Sequence, residues 1–115
     1  MTTDCLFCRI AAGDIPSQKV YSDDHVYAFH DINPAAPTHI LVIPRKHLSH
    51  VCDAGPDDEA LMGKLLLSGQ HIARQQGLAD DGFRLVINTG DQGGQTVYHI
   101  HLHILGGRQM NWPPG

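Results

Sequence analysis

At 115 residues the chain has room for one compact domain with a core and little room for a second. Its 42% hydrophobic and 17% charged residues are those of an ordinary globular protein, and no apolar run approaches a membrane span, so a helical membrane protein is excluded. A formal charge of -4 argues against broad attachment to polymeric nucleic acid but leaves a single nucleotide open as a ligand. Met1-Thr2-Thr3-Asp4 lacks the basic start and apolar core of a signal peptide, and three cysteines cannot all pair within one chain, so a reducing cytoplasm is expected.

Leu6 to Ala12 is expected to form a short helix, with Asp4 as cap and Gly13 as stop. Gln18–Tyr21 and Val26–Asp31 follow as two strands around the polar turn Ser22-Asp23-Asp24. Asn33-Pro34-Ala35-Ala36-Pro37 must be a loop, and His39–Ile43 is a third strand that ends at Pro44, which has no ladder donor. From Pro56 the apolar spacing turns helical. Leu61, Met62, Leu65, Leu66, Ile72 and Ala73 form one stripe, and Gly77 lies beyond its end. Phe83–Asn88 and Val97–Leu105 are the fourth and fifth strands, joined by Gly90-Asp91-Gln92-Gly93-Gly94 too briefly for a parallel crossover. The expected fold is α+β, a five-stranded antiparallel sheet with one long and one short helix. The glycine- and proline-rich ending Gly106–Gly115 holds the single tryptophan, and is either a free tail or an arm docked on a partner subunit.

Within the fifth strand, His99-Ile100-His101-Leu102-His103-Ile104-Leu105 alternates imidazole and aliphatic side chains. A period of two puts the three histidines on one face and Ile100, Leu102 and Ile104 on the other. Imidazole titrates near neutrality, donates or accepts hydrogen bonds, ligates metals and acts as a nucleophile, so the row is a candidate reaction centre. Directly before it, Gly93-Gly94-Gln95-Thr96 can turn backbone N–H groups into an anion-holding concavity, with the Thr96 hydroxyl as a further donor. The pattern alone also fits histidines that jointly hold one metal ion, or half-buried polar residues with purely structural partners.

The row resembles the histidine triad signature of the HIT superfamily of nucleotide hydrolases and transferases. Ala28-Phe29-His30-Asp31-Ile32, Ala36–Pro44, Gly93–His103 and the ending Gly106–Gly115 are together similar to its Hint branch, the histidine triad nucleotide-binding proteins. That resemblance implies a purine nucleoside phosphoramidate hydrolase. His101 would attack the α-phosphorus to form a nucleotidyl-histidine, and water would then release the nucleoside monophosphate. His103 would contact phosphate oxygens, His39 would support the triad together with His99, and Thr96 would lie near the leaving amine. Asp31 would accept from the ribose hydroxyls, and Phe7, Ile10, Phe29, Ile32 and Leu41, with His30 among them, would make the base slot. Asn88, Gly94, Gln95 and Thr96 would sit at the phosphate. Trp112 would reach the neighbouring subunit's site in a symmetric homodimer whose two sheets join. No metal is required for this chemistry; a regulatory nucleotide-binding module with incidental hydrolysis, and a metal enzyme with the ion in the triad, are the competing expectations.

Cys5-Leu6-Phe7-Cys8 is a CxxC pair, half of a four-ligand zinc site. A thioredoxin-like role fits poorly, since no strand precedes the pair. Some members of the superfamily complete a structural zinc site with a histidine after the third strand and the first triad histidine, here His47 and His99, with His50 as the alternative to His47. Other members lack the cysteines and need no metal, which leaves zinc open. Cys52 has no donor pattern near it and is expected to be a plain thiol.

Overall fold

A computed structural model describes residues 4–115. The elements run α1 (Leu6–Ala11), β1 (Lys19–Ser22), β2 (Val26–His30), β3 (Thr38–Pro44), two single 3-10 turns (Val51–Asp53 and Pro56–Asp58), α2 (Glu59–Gln75), β4 (Phe83–Val86) and β5 (Leu102–Gly106). The strands form one antiparallel sheet in the order β1-β2-β3-β5-β4. This is the expected α+β arrangement, with β4 and β5 paired antiparallel. Among the described residues no helix is long and apolar enough to cross a membrane.

β3 is the central strand, and its alternation divides the core. Ile40 and Val42 point to the α2 side with Val26, Ala28, Leu65, Ile72, Ala73, Ile100, Leu102 and Ile104. Leu41 and Ile43 point to the α1 side with Phe7, Ile10 and Phe29. Each fully buried aliphatic side chain here contributes about 1.5–3 kcal/mol of transfer free energy. The stripe on α2 differs from expectation at one position. Leu66 is 52% exposed, while Ser68 and Gly69 are buried. The helix comes so close to β5 that a Cβ on Gly69 would lie 2.5 Å from Leu102 Cδ2, so a small residue occupies the crossing and Leu66 turns away.

Several boundaries depart from the sequence reading. β1 runs Lys19–Ser22 instead of Gln18–Tyr21, β2 ends at His30 instead of Asp31, β3 takes in Thr38 and Pro44, and β4 ends at Val86 instead of Asn88. Two further departures have identifiable causes. The cap of α1 is Cys5 and not Asp4: the Cys8 N–H donates to Cys5 Sγ at 3.4 Å. β5 begins at Leu102 and not at Val97. Its register places Val42 opposite Leu102, so the next inward-facing step would set Ile100 opposite Pro44, which cannot donate to a ladder. The Pro44 carbonyl instead accepts from the His99 ring at 2.7 Å, and the Ile100 N–H donates to Leu48 O at 2.8 Å. The side chains nevertheless keep alternating: Ile100 enters the α2-side core while Val97 packs on the α1 side.

Candidate active site and metal cluster

The α1 side of the sheet carries a cavity of about 350 Å³, a size suited to a small organic ligand. Phe7, Ile10, Phe29, His30, Asp31, Ile32, Leu41, Thr96, His101 and His103 line it. Leu6, Ile15, Pro16, Ser17, Gln18, Asn33 and Val97 complete the wall without having been singled out in the sequence. The 15–18 segment carries no chemical motif; only the apolar Ile15 before a proline, and the place of Val97 in the alternating row, hinted at it. Asn88, Gly94, Gln95 and Trp112 are not among the lining residues. Gln95 is buried with its amide fully occupied, donating to Ser49 O at 2.7 Å and Val97 O at 3.1 Å and accepting from the Gly90 N–H at 2.9 Å. It holds the loop that carries Gly94, whose φ is +82°. Trp112 is 83% exposed at the end of an arm tied down by Arg84, which donates to Asn111 O at 2.7 Å.

The hydrogen-bond network assigns the imidazole protons one after another. Ala35 N–H donates to His39 Nδ1 at 3.0 Å, so neutral His39 carries its proton on Nε2. That proton goes to His103 Nδ1, 2.9 Å away, with an Asp31 oxygen 3.4 Å from the same nitrogen. His103 therefore bears its own proton on Nε2, which is buried and has no hydrogen-bond partner among the described residues. His101, 6% exposed, donates from Nδ1 to His99 O at 2.8 Å, which leaves a lone pair on its Nε2. The Phe7 ring stands edge-on to His101 at 5.1 Å, and the His103 ring lies 4.9 Å from it. One imidazole thus offers a nucleophilic lone pair and its neighbour offers an N–H donor, both in residues that line one cavity.

Burial holds these rings neutral. It pushes His101 below the ordinary histidine range, opposed by the His99 carbonyl and by Asp31. It pushes His103 down to about 4, helped by the neighbouring His101 and His39. A histidine whose folded pKa lies below its unfolded value of about 6.5 binds fewer protons when folded, so stability rises with pH across that window. The expected result is a melting temperature that falls as pH drops from about 6.5 toward 4 and is insensitive to this group above 6.5. Thermal melts of wild type and His103→Gln across this range check it; equal slopes in the two proteins would contradict it.

Behind the cavity wall, Cys5, Cys8, His47 and His99 bring four donor atoms within 4.8 Å of one another. His99 Nδ1 lies 3.3 Å from Cys5 Sγ, 3.5 Å from Cys8 Sγ and 3.2 Å from His47 Nδ1, and Cys8 Sγ lies 3.4 Å from His47 Nδ1. A tetrahedral zinc with sulfur at about 2.3 Å and nitrogen at about 2.0–2.1 Å would have S–N edges of about 3.5 Å and N–N edges of about 3.3 Å. These four separations fit that tetrahedron. His99 also meets the requirement placed on a ligating imidazole, because its second nitrogen donates to Pro44 O. His47, not His50, supplies the fourth donor; His50 stands apart against Tyr98 and Asp53. Cys52 is exposed.

Asp31, His39 and His103 also gather three donor atoms, but the chemistry there is different. With Ala35 N–H on its Nδ1, His39 could offer Nε2 to a metal only as an imidazolate, and that nitrogen is already committed as a donor to His103. In this arrangement the three residues form a proton-ordered chain, His39 accepting from Ala35 N–H and donating to His103.

The chain matches the HIT domain over residues 12–110. It is 51% identical to an uncharacterized HIT-like protein of Synechocystis sp. over 115 residues, with all of both chains covered. It is 52% identical over 114 residues to a 14 kDa zinc-binding protein of Brassica juncea, covering 97% of this chain and 100% of that one. Among solved structures, a HIT family hydrolase from Legionella pneumophila Philadelphia 1 superposes with a TM-score of 0.95 at 52% identity, over 96% of this chain and 99% of that one. A histidine triad nucleotide-binding protein from Candida albicans superposes with a TM-score of 0.80 at 30% identity, over 95% of this chain and 82% of that one.

Proposed function

The chain belongs to the HIT family, and on that premise we propose that it hydrolyses purine nucleoside phosphoramidates through a nucleotidyl-histidine formed on His101. The observation that carries the reading is the ordered proton pattern: a lone pair on His101 Nε2 beside an unpartnered N–H on His103 Nε2, both residues lining a cavity that also holds Asp31.

Phe7, Ile10, Phe29, Ile32 and Leu41 take the purine, with His30 beside them, and Asp31 accepts from the ribose hydroxyls. Of the loop before the histidine row, Thr96 lines the cavity and faces the phosphate, while Gln95 holds the 90–96 loop in place; Asn88 and Gly94 would reach a phosphate only beyond the present cavity wall. His101 Nε2 attacks the α-phosphorus, the P–N bond to the leaving group breaks, and the amine departs with a proton taken from solvent and relayed by the Thr96 hydroxyl, leaving a phosphorylated, positively charged imidazole. The His103 N–H bonds a phosphate oxygen as charge builds. Water then attacks the same phosphorus, the bond to His101 breaks to regenerate its neutral ring, the water's proton returns to solvent, and the nucleoside monophosphate leaves. The chemistry uses imidazoles throughout. A zinc held by Cys5, Cys8, His47 and His99 would be structural, supplying four bonds that tie α1 to the segment after β3 and to the approach to β5.

Purified protein should convert adenosine 5'-phosphoramidate to adenosine monophosphate and ammonia in many turnovers, followed by ion-exchange chromatography. Nucleotide binding without turnover would instead favour a regulatory module. We further infer a homodimer joined through β4, which is an open sheet edge. Leu66 at 52%, Leu67 at 64% and Ile87 at 38% exposure supply apolar surface, and Trp112 stands free to reach a second copy. Sedimentation equilibrium should return twice the 12.6 kDa chain mass; a monomer would remove this part of the proposal.

A further inference from the structure

We propose that the Cys5–Cys8–His47–His99 cluster is a positioning device for His101 as well as a staple for the fold. The proposal rests on the reading of His101 as nucleophile. His99 is the shared member: its ring belongs to the cluster and its main-chain oxygen is the acceptor that fixes His101 Nδ1–H.

His99 precedes β5, so no ladder sets its place. Its ring is held at both ends instead, at Nδ1 by the two sulfurs and His47 and at Nε2 by Pro44 O. The second restraint on His101 hangs on the same cluster. Cys5 caps α1 through the Cys8 N–H, and α1 presents Phe7, whose ring packs edge-on against His101 at 5.1 Å and against His99 at 6.1 Å. Both groups that orient the nucleophile, a carbonyl and an aromatic edge, are therefore set by the four donor side chains. Without its acceptor, His101 is free to take the Nε2–H tautomer, which removes the lone pair that the reaction needs.

His47 is the ligand to vary, since it touches neither His101 nor the nucleotide cavity. The experiment compares wild type, His47→Ala and His47→Cys, each as the full chain loaded with zinc, and wild type stripped with a chelator. The ring nitrogens of His101 are read by ¹⁵N NMR at one fixed pH, and the single-turnover rate is measured beside them. In wild type the His101 proton is expected on Nδ1. In His47→Ala and in stripped wild type it should move to Nε2 or average between the two, with the first-step rate down about tenfold or more. His47→Cys, which keeps a zinc donor, should restore both readings. If His47→Ala does not fold, the stripped and Cys arms decide. A His101 proton that stays on Nδ1 once the cluster is broken would overturn the proposal and leave the cluster purely structural. The NMR reading needs no turnover, so an inactive wild type would sink the hydrolase reading alone.

Discussion

Replacing His101 with alanine should lower turnover of adenosine 5'-phosphoramidate by about 10⁴-fold or more while adenosine monophosphate still binds within a few-fold of wild type. The separation follows from the division of labour in the cavity. On the proposed reading affinity would come from the apolar slot of Phe7, Ile10, Phe29 and Leu41 and from the Asp31 carboxylate, all of which line the cavity and none of which His101→Ala removes. The chemical step depends on one lone pair, and no second nitrogen can replace it. His103 carries its proton on Nε2, and its Nδ1 lone pair is taken up by the His39 Nε2 proton. Steady-state kinetics and calorimetric binding on one preparation of His101→Ala would test this; turnover near the wild-type rate would exclude His101 as nucleophile.

Cys8→Ala should be the most damaging single change to stability outside the hydrophobic core. It removes one cluster donor and loosens the remaining three, so α1 loses its tie to His99. Phe7 and Ile10 are buried only while α1 stays docked, and undocking forfeits about 1.5–3 kcal/mol for each. A net loss of about 3 kcal/mol corresponds to a melting temperature lower by about 10–15 °C in a domain of this size. Scanning calorimetry should show that fall, and elemental analysis should show about one zinc per wild-type chain and much less in the variant. A variant that melts with wild type would mean that the cluster does not hold α1.

The sequence reading of the core came from periodicity, and where burial alone set the pattern it matched the fold. β3 and α2 stand where the apolar spacing put them, within a few residues at their ends. The α1 cap is a local miss, Cys5 accepting from Cys8 N–H in place of Asp4; the other misses depend on partners distant in sequence. Pro44 stops the ladder at Leu102 because the register brings Ile100 opposite it, and α2 crosses β5 at Gly69, where any side chain would meet Leu102. Four cluster donors could be named from spacing and resemblance, yet their common point of approach is a tertiary fact. The same holds for the proton order of the imidazoles. A row of histidines shows three equivalent rings, and only Ala35 N–H, His99 O and Pro44 O leave one with a free Nε2 lone pair, one with an Nε2–H and one with its Nδ1 turned to the cysteines.

The most direct test of this account is mass spectrometry of protein quenched in acid-free denaturant during turnover of a slowly hydrolysed adenosine phosphoramidate. The account predicts an added adenylyl mass on the peptide carrying His101, absent from His101→Ala. Turnover with no adduct, or an adduct on another residue, would contradict it.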